Sequence, residues 1–421
     1  MDHGWIQSYL RQIYCIMLLS IPCVWISSYL LILCPLSPPS LSPSSFMIYV
    51  QRLLLFLLFL FLILLLFPLL CTPPGWRHTL VWRVAKKAGL LAPTDPSLRL
   101  HHLQEENSAR LEAALSYLSS LAALPTPSSP WLTIAVVTRD RQSPQGWRPA
   151  YLPQSLAAYL REAGQAAGEV GVVVCDVQVE GTQPEMELVS GLVPVVARRQ
   201  EAPGPPGLHR LEREKQDYVF CLREAARWHN SSQAVLVVED DSLPLPGLVH
   251  HLRDLLARRS RSTTAFIKLF HPVELQGYLQ PEPHRWVEWV ALALLLLLLQ
   301  HALLRTDLPL TSSFSLPRLL LTMILLEVVG RQTLLPLRPT YSLVPAPSCC
   351  TPANLYPAPS LPALLAALET TTCGPGLAKD FALVEVVSSL GRQAWAVQPN
   401  LVRHVGVVSS LHAGVNLAVQ D

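Results

Sequence analysis

The segment AVLVVEDD, residues 234–241, is a short apolar run that ends in three carboxylates. A continuous apolar run of this length, rich in valine, is typical of a strand that is buried on both faces of a sheet. The segment WLTIAVVTRDR, residues 131–141, follows the same pattern, because its apolar part ends in the polar turn Thr138–Arg141. Strands of this kind occur in sheets covered by helices, so the two segments predict an α/β fold.

The rest of the polar body alternates between strand and helix patterns, which favours a mostly parallel sheet. Ligands of such sheets bind at the carboxyl ends of the strands. We therefore expect the turns Thr138–Arg141 and Glu239–Asp241 to line one site. Two proline-rich runs, residues 349–352 and 357–359, predict a rigid loop. The remaining predicted strands are 170–177, 192–196, 265–270 and 395–397, and the predicted helices are 109–124, 151–163, 211–228, 248–258 and 381–389.

The composition of the 421 residues excludes several classes of protein. Apolar residues make up 50% and charged residues 15%, which excludes disorder for most of the chain. The 32 basic residues nearly balance the 30 acidic ones, which argues against a nucleic-acid partner. The 38 prolines argue against a plain bundle of membrane helices. A membrane-anchored protein with a folded, proline-punctuated domain remains.

Several apolar stretches are candidate membrane segments. Residues 53–71 are 19 uncharged positions, enough to cross a hydrocarbon core of about 30 Å. Residues 286–304 and 314–329, joined by the polar link 305–307, predict a helical hairpin that enters and leaves on one side. For residues 13–33 three interpretations stay open: a signal sequence, a genuine span, or a gene-model extension. A second span there would invert the topology downstream.

The chain is therefore predicted to carry one globular domain that a membrane hairpin interrupts. The positive-inside rule opposes a lumenal body, because basic residues are more numerous after residues 53–71 than before them. The predicted organisation is an uncertain N-terminal extension at 1–52, an anchor at 53–71, a stem and helical linker at 72–130, the first part of the domain at 131–285, the hairpin at 286–330 and the second part at 331–421.

The polar body contains five cysteines. They are compatible with two disulfides and one thiol in an oxidising compartment, or with buried apolar positions. The chain has no Cys-x-x-Cys pair, which argues against a zinc knuckle. Asn230-Ser231-Ser232 is an acceptor sequence for N-glycosylation, which requires a secretory compartment. The five cysteines are Cys175, Cys221, Cys349, Cys350 and Cys373.

Three acidic elements are candidate functional sites. Glu239, Asp240 and Asp241 follow a strand directly, and their oxygens suit Mg²⁺ or Mn²⁺, ions that bridge the phosphates of a nucleotide. The alternative is a solvated turn in which Asp241 caps the next helix. In the turn Thr138–Arg141, Asp140 can bind a nucleotide base or ribose. The alternative is an ordinary polar loop, which has the same composition. Asp380, after a glycine-containing turn, is either a general base or the N-terminal acid of a helix.

His404 follows a predicted strand. It either completes the metal's ligand set or has a structural role, which is the more common one for a single histidine.

Several blocks of the sequence, in order, resemble one known family. They are WLTIAVVTRDRQ, EREKQDYVFCLREA, VLVVEDDSLP, IKLFHP, the hairpin after PEPHRWVEWV, VPAPSCCTPANLYPAP and LVRHVGVVSSL. Together they resemble the Golgi N-acetylgalactosamine transferases that add a side branch to GPI anchors, over about residues 53 to 412. The resemblance implies a GT-A glycosyltransferase domain that is interrupted by a tandem span and carries an N-terminal anchor. It also implies a multi-pass Golgi membrane protein with a lumenal catalytic domain.

The resemblance further implies a substrate pair and a set of site residues. The donor is UDP-N-acetylgalactosamine and the acceptor is the first mannose of the GPI glycan on GPI-anchored proteins. Manganese or magnesium is expected at Glu239, Asp241 and His404, and Asp380 is the expected base. The family's pattern pairs Cys175 with Cys221. The expected donor-binding residues are Arg139, Asp140, Glu239, Asp240, Asp241, Thr351, Pro352, Ala353 and Asn354.

The sequence also departs from the family. Arg139 stands where valine is usual, and Ala378 stands where glycine is usual. A Cys-x-x-x-Cys pair expected near residues 163–168 is absent, and the segment 202–207, APGPPG, replaces an acidic tract. These departures keep two alternatives open: a silent paralogue that binds GPI-anchored proteins, and a transferase with another acceptor. The hydrophobic N-terminus motivates a third, a four-span membrane protein without an enzyme domain.

Overall fold

A computed structural model describes residues 96–121, 129–165, 168–178, 183–198, 209–228, 231–258, 262–272, 290–298, 342–398 and 400–409, with a few short pieces between them. The chain forms two compact units. One comprises Pro93–Gln276 and Leu343–Asp421 and is called the sheet unit here. The other comprises Met1–Ala92 and Gly277–Ser342. All the site residues predicted above belong to the sheet unit.

The elements alternate as the sequence pattern predicts. Within the described residues the strands are β1 Leu132–Thr138, β2 Val170–Asp176, β3 Val195–Ala197, β4 Ala234–Glu239, β5 Ser242–Pro244, β6 Thr264–Lys268, β7 Ser342–Pro345, β8 Ala353–Pro357, β9 Gln393–Gln398 and β10 Val402–His404. The helices are α1 Pro96–Ser119, α2 Tyr151–Gln165, α3 Met186–Ser190, α4 Arg210–Trp228, α5 Leu248–Arg258, α6 Leu361–Thr370 and α7 Lys379–Ser389. A 3₁₀ turn, Ala358–Ser360, leads into α6.

The central sheet is mixed and mostly parallel, in the order β3-β2-β1-β4-β8-β6-β9-β7. β1 lies between β2 and β4 and is parallel to both, so that Ala135 is opposite Val173 and Val237. β8 runs antiparallel to its neighbours β4 and β6. The short strands β5 and β10 form a separate antiparallel pair. This mixed α/β architecture fits the predicted GT-A-like domain.

The core lies between the sheet and the helices that cover it. Helices α4, α6 and α7 pack against β4, β6 and β8 through a cluster of fully buried side chains. Each buried leucine or phenylalanine contributes roughly 1.5–3 kcal/mol relative to exposure, so this cluster fixes the position of α7 and of the residues at its start. The cluster includes Tyr218, Leu222, Phe266, Leu364 and Leu383.

The prediction of a rigid loop between residues 349 and 359 is wrong in its middle. Residues Ala353–Pro357 form β8, a fully buried central strand, and only the parts on either side are a loop and a 3₁₀ turn. The prolines at the two ends concealed a strand of five residues, too short to show a period. The first helix also differs from its prediction, because it begins at Pro96 and ends at Ser119.

The predicted membrane segments lie largely outside the described residues. Residues 53–71 are outside them entirely, and of the predicted hairpin residues 290–298 are helical. Among the described residues, no helix combines the length and the apolar character needed to cross a membrane. The anchor and the hairpin therefore stay predictions.

Two disulfides and one thiol account for the five cysteines of the body. Cys175, in β2, is bonded to Cys221, in α4, with 5.7 Å between their Cα atoms. Cys349 is bonded to its neighbour Cys350, and Cys373 is a buried thiol. The pairing of Cys175 with Cys221 that the family resemblance implied is confirmed. The bond fastens helix α4 to the sheet.

Removing this bond is expected to destabilise the sheet unit. A Cys175→Ala/Cys221→Ala double variant should lower the free energy of unfolding by about 2–5 kcal/mol, because the loop that the bond closes becomes free in the unfolded chain. Thermal unfolding of the detergent-purified protein measures the change. Cys373→Ala is the matched control, since it removes a buried sulfur without opening a loop. Equal midpoints for the double variant and the wild type would contradict the prediction.

Candidate active site

The two polar turns meet at the carboxyl edge of the sheet. Because β1 and β4 are adjacent and Val137 is opposite Glu239, the residues that follow the two strands lie side by side. The hydroxyl of Thr138 donates a hydrogen bond of 2.8 Å to Oδ2 of Asp240. The predicted meeting of the two turns is therefore confirmed.

Arg141 binds both aspartates of the acidic motif. Its Nη2 donates to Oδ1 of Asp240 at 2.7 Å, and its Nη1 donates to Oδ2 of Asp241. The Arg141 side chain is 10% exposed and each aspartate 3%. The sequence analysis named Arg139 and Asp140 of this turn and missed Arg141. Its role depends on the burial of two carboxylates that follow the adjacent strand, and the sequence pattern does not show that burial.

These contacts give the two aspartates different pKa values. Burial raises the pKa of Asp240 to about 6, against the effect of Arg141. Burial acts on Asp241 in the same direction, but Arg141 and His404 together hold the pKa of Asp241 well below its usual range. Asp241 is therefore ionised throughout the neutral range.

His404 and a close backbone segment complete the surroundings of Asp241. Strand β10 pairs with β5 so that His404 is opposite Ser242, and His404 Nε2 lies 3.3 Å from Oδ2 of Asp241. The backbone N–H of Val405 donates to the Asp241 carbonyl at 2.7 Å. A Cβ on Gly406 would lie 2.3 Å from Asp241 Oδ2 and 2.9 Å from His404 Nε2. Only glycine fits this approach.

The pair Asp241 and His404 fits a divalent cation. In the described part of the chain, Oδ1 of Asp241 and Nδ1 of His404 are buried without a hydrogen-bond partner. The two atoms that lie together are Oδ2 of Asp241 and Nε2 of His404, and a carboxylate oxygen beside an imidazole nitrogen is a donor set that Mn²⁺ accepts. Oε1 of Glu239 is instead 3.0 Å from Nζ of Lys379. The structure thus brings together two of the three predicted metal ligands and turns one oxygen of the third toward a lysine.

Lys379 joins the acidic motif to the segment that carries Asp380. Its ammonium lies 2.9 Å from Glu214 and 3.0 Å from Glu239, and 4.9 Å from the centre of the Tyr218 ring. Burial opposes the charge of Lys379, but the two glutamates outweigh it and raise the pKa of the lysine well above its usual value. This charged, buried side chain fixes the start of α7 beside the end of β4.

Asp380 lies in the first turn of α7, and both of its carboxylate oxygens accept hydrogen bonds. Oδ2 accepts from the backbone N–H of Cys350 at 2.6 Å, and Oδ1 accepts from the hydroxyl of Thr351 at 2.8 Å. The sequence prediction placed Asp380 and Thr351 in one site, and the structure brings them into contact.

A second group of possible metal ligands surrounds the same aspartate. The Sγ atoms of Cys349 and Cys350 and an oxygen of Asp380 lie within 4.8 Å of one another. The two sulfurs are joined in a disulfide, and a metal would need thiolates. In this oxidised form the group does not fit a metal.

The other predicted donor-binding residues are hydrogen-bonded to, or buried among, residues around the site. Oδ1 of Asp140 accepts from Arg148 at 2.6 Å, and the carbonyl of Pro352 accepts from the Glu239 N–H at 2.8 Å. Ala353 and Asn354 are fully buried in β8. The Asn354 amide donates to the hydroxyls of two tyrosines, Tyr218 at 3.1 Å and Tyr356 at 3.2 Å.

Two of the four departures from the family pattern, Arg139 and Ala378, are accommodated by the backbone. Arg139 contributes its main-chain N–H, 3.3 Å from Oδ2 of Asp240, and any residue except proline supplies this donor. Ala378 has φ −75° and ψ 163°, an extended conformation that needs no glycine. The backbone geometry at these two positions therefore does not require the residue that is usual in the family.

The chain also matches a known protein family. Residues 132–403 match the family described as GPI-N-acetylgalactosamine transferase PGAP4. The chain belongs to this family. The match runs from β1 into β10 and includes every predicted site residue except His404, which lies one position beyond the end of the match. Membership identifies the chain as a glycosyltransferase-family protein.

Proposed function

We propose that this protein is a Golgi membrane glycosyltransferase that transfers N-acetylgalactosamine from UDP-N-acetylgalactosamine to the mannose of GPI anchors, with inversion and with a divalent cation. One observation carries the proposal. Lys379 lies 3.0 Å from Glu239 of the acidic motif, and it immediately precedes Asp380. One buried lysine therefore connects the acidic motif, where the leaving diphosphate is proposed to bind, with Asp380, the proposed general base.

The cysteines support the proposed compartment. The bonded pairs Cys175–Cys221 and Cys349–Cys350 are stable in an oxidising lumen, and disulfides are rare in the cytosol. The sequon at Asn230 supports the same side of the membrane. We therefore propose a multi-pass protein whose catalytic domain faces the Golgi lumen, close to the membrane in which GPI-anchored acceptors reside.

Donor binding is proposed for the edge formed by the ends of β1 and β4. Asp241 and His404 would hold a divalent cation, with Glu239 as the further candidate. When bound, the cation supplies positive charge for the diphosphate that leaves. Arg141 keeps Asp240 and Asp241 in place, since its guanidinium bonds to both.

The transfer step is proposed for Asp380. Its carboxylate removes the proton from the acceptor hydroxyl as that oxygen attacks the anomeric carbon. The new bond forms between this carbon and the mannose oxygen, and the bond to the donor phosphate breaks, so that UDP leaves with the electron pair. Attack from the face opposite the leaving group inverts the anomeric configuration. Hydrogen bonds from Cys350 and Thr351 fix the direction of the carboxylate.

Removing the cation should abolish transfer. Purified protein dialysed against EDTA is expected to lose at least about 99% of its transfer from UDP-N-acetylgalactosamine to a mannose-containing GPI glycan, and added Mn²⁺ should restore it, because the leaving diphosphate needs neutralisation. UDP-N-acetylglucosamine tests the donor, and a GPI glycan lacking the mannose tests the acceptor. Full activity in EDTA would contradict the metal site. No transfer with any donor would favour a silent paralogue.

A further inference from the structure

Lys268 is a buried cation that the transfer step described above does not use. It is the last residue of β6 and is fully buried between β8 and β9, where it is opposite Asn354 and Ala396. Its ammonium donates to the carbonyl of Pro347 at 2.8 Å and to the carbonyl of Cys349 at 2.7 Å. An apolar side chain would fill the same position without the cost of burying a charge, so the charge needs a reason.

The loop that Lys268 holds is the one that binds Asp380. The next two residues along the chain, Cys350 and Thr351, give Asp380 its hydrogen bonds, one to each carboxylate oxygen. Cys350 has φ +68°, in the left-handed region that residues other than glycine rarely adopt. The Cys350 N–H donates to the carboxylate from this conformation, and the carbonyl just before it is anchored by Lys268.

We propose that Lys268 is a positioning residue for the transfer reaction. It fixes the loop Pro347–Thr351 through two main-chain carbonyls and thereby sets the direction of the Asp380 carboxylate toward the acceptor hydroxyl. The inference rests on the proposed role of Asp380 as the base. A base that is misdirected by about 1 Å loses on the order of a hundredfold in rate, so a residue that fixes its direction controls kcat.

The surroundings of Lys268 make this control dependent on pH. The charged groups that face it are Asp380, which favours its charge, and Lys379, which opposes it. Burial has the largest effect and lowers the pKa of Lys268 to about 8. As the pH rises through this value, the ammonium loses its charge. Its hydrogen bonds to the two carbonyls then weaken, since a charged donor makes bonds roughly twice as strong.

The test is the pH profile of kcat for the intact protein in detergent, with UDP-N-acetylgalactosamine, a GPI glycan acceptor and Mn²⁺. For the wild type we expect kcat to fall about fivefold above an apparent pKa near 8. Lys268→Met should lower kcat by about 10–100-fold, with the KM for the donor within about twofold, because orientation and not binding is lost. Lys268→Arg should keep much of the activity and lose the fall above pH 8, because arginine stays charged.

Lys215→Met is the matched control. Lys215 is also buried and also donates to two main-chain carbonyls, those of Leu368 and Thr371. Its loss should lower the unfolding temperature and leave the decline above pH 8 unchanged.

Three results separate this inference from the proposed function. Wild-type kcat in Asp380→Asn would mean that the base itself is wrong. If Asp380→Asn is inactive, either of two results would overturn the role of Lys268. One is a wild-type kcat that stays constant from pH 7 to 9, and the other is a fall in kcat near pH 8 that persists in Lys268→Arg. If Lys268→Met does not fold, the wild-type and Lys268→Arg profiles decide the question.

Discussion

Replacing Asp380 by asparagine is expected to lower kcat for sugar transfer about 10²–10⁴-fold, the usual contribution of a general base. Asparagine has nearly the same shape and keeps an oxygen that can accept from Cys350 or Thr351, so the loop should stay in place. It cannot accept the proton of the acceptor hydroxyl. Binding of UDP-N-acetylgalactosamine, measured by calorimetry, should stay within about threefold of wild type, since the loss falls on the transition state.

Glu385→Gln is the control for this variant. Glu385 is an exposed carboxylate on the same helix, α7, and its neutralisation should leave kcat unchanged. The competing interpretation is that Asp380 only caps the helix electrostatically. In that case Asp380→Asn would reduce stability by about 0.3–1 kcal/mol and leave kcat near the wild-type value.

Replacing Gly406 by alanine is expected to lower transfer by about two orders of magnitude, because the site cannot keep its geometry. The added Cβ would lie 2.3 Å from Asp241 Oδ2 and 2.9 Å from His404 Nε2. Contacts this short force Asp241 or His404 to move, and Asp241 is also held by Arg141. The movement would break the pair that is proposed to bind the cation.

Two measurements distinguish this displacement from general unfolding. The concentration of Mn²⁺ that gives half-maximal activity should rise about tenfold or more in Gly406→Ala, because the metal's ligands are misplaced. Gly164→Ala is the control, since a Cβ on Gly164 meets no atom within 4 Å. Equal Mn²⁺ dependence in Gly406→Ala and the wild type would remove Asp241 and His404 as the proposed ligands.

Strands β1, β2 and β4 could be predicted because each one is an uninterrupted apolar run. β1, β2 and β4 are fully covered by helices or by other strands, so their valine-rich runs carry the signal without a period. The polar residues that follow β1 and β4 then marked the edge where the site lies. Asp240 and Asp241 were found in this way. Asp380 was found instead from the glycine-containing turn before it, and the family resemblance favoured its role as a base.

Other parts of the site were hidden because they depend on contacts between distant segments. Strand β8 is bounded by prolines and carries Asn354, a polar residue whose partners are Tyr218 in α4 and Tyr356 in the same strand. Arg141, Lys268 and Lys379 are basic residues that a sequence reading assigns to the surface. Each is buried only because carboxylates or main-chain carbonyls from other elements surround it.

The role of Gly406 could not be recognised from the sequence for a similar reason. The requirement for glycine there comes from Asp241, which is 165 positions away in the chain. It does not come from the backbone conformation.

The most direct test of the account uses cells that lack the N-acetylgalactosamine branch on their GPI anchors. The wild type and an Asp241→Ala variant are expressed, their delivery to the Golgi is verified by microscopy, and the released GPI glycans are analysed by mass spectrometry. The account predicts that the wild type restores a hexosamine branch on the mannose and that the variant does not. Correctly delivered wild-type protein that restores no branch, or an Asp241→Ala variant that restores as much as the wild type, would contradict it.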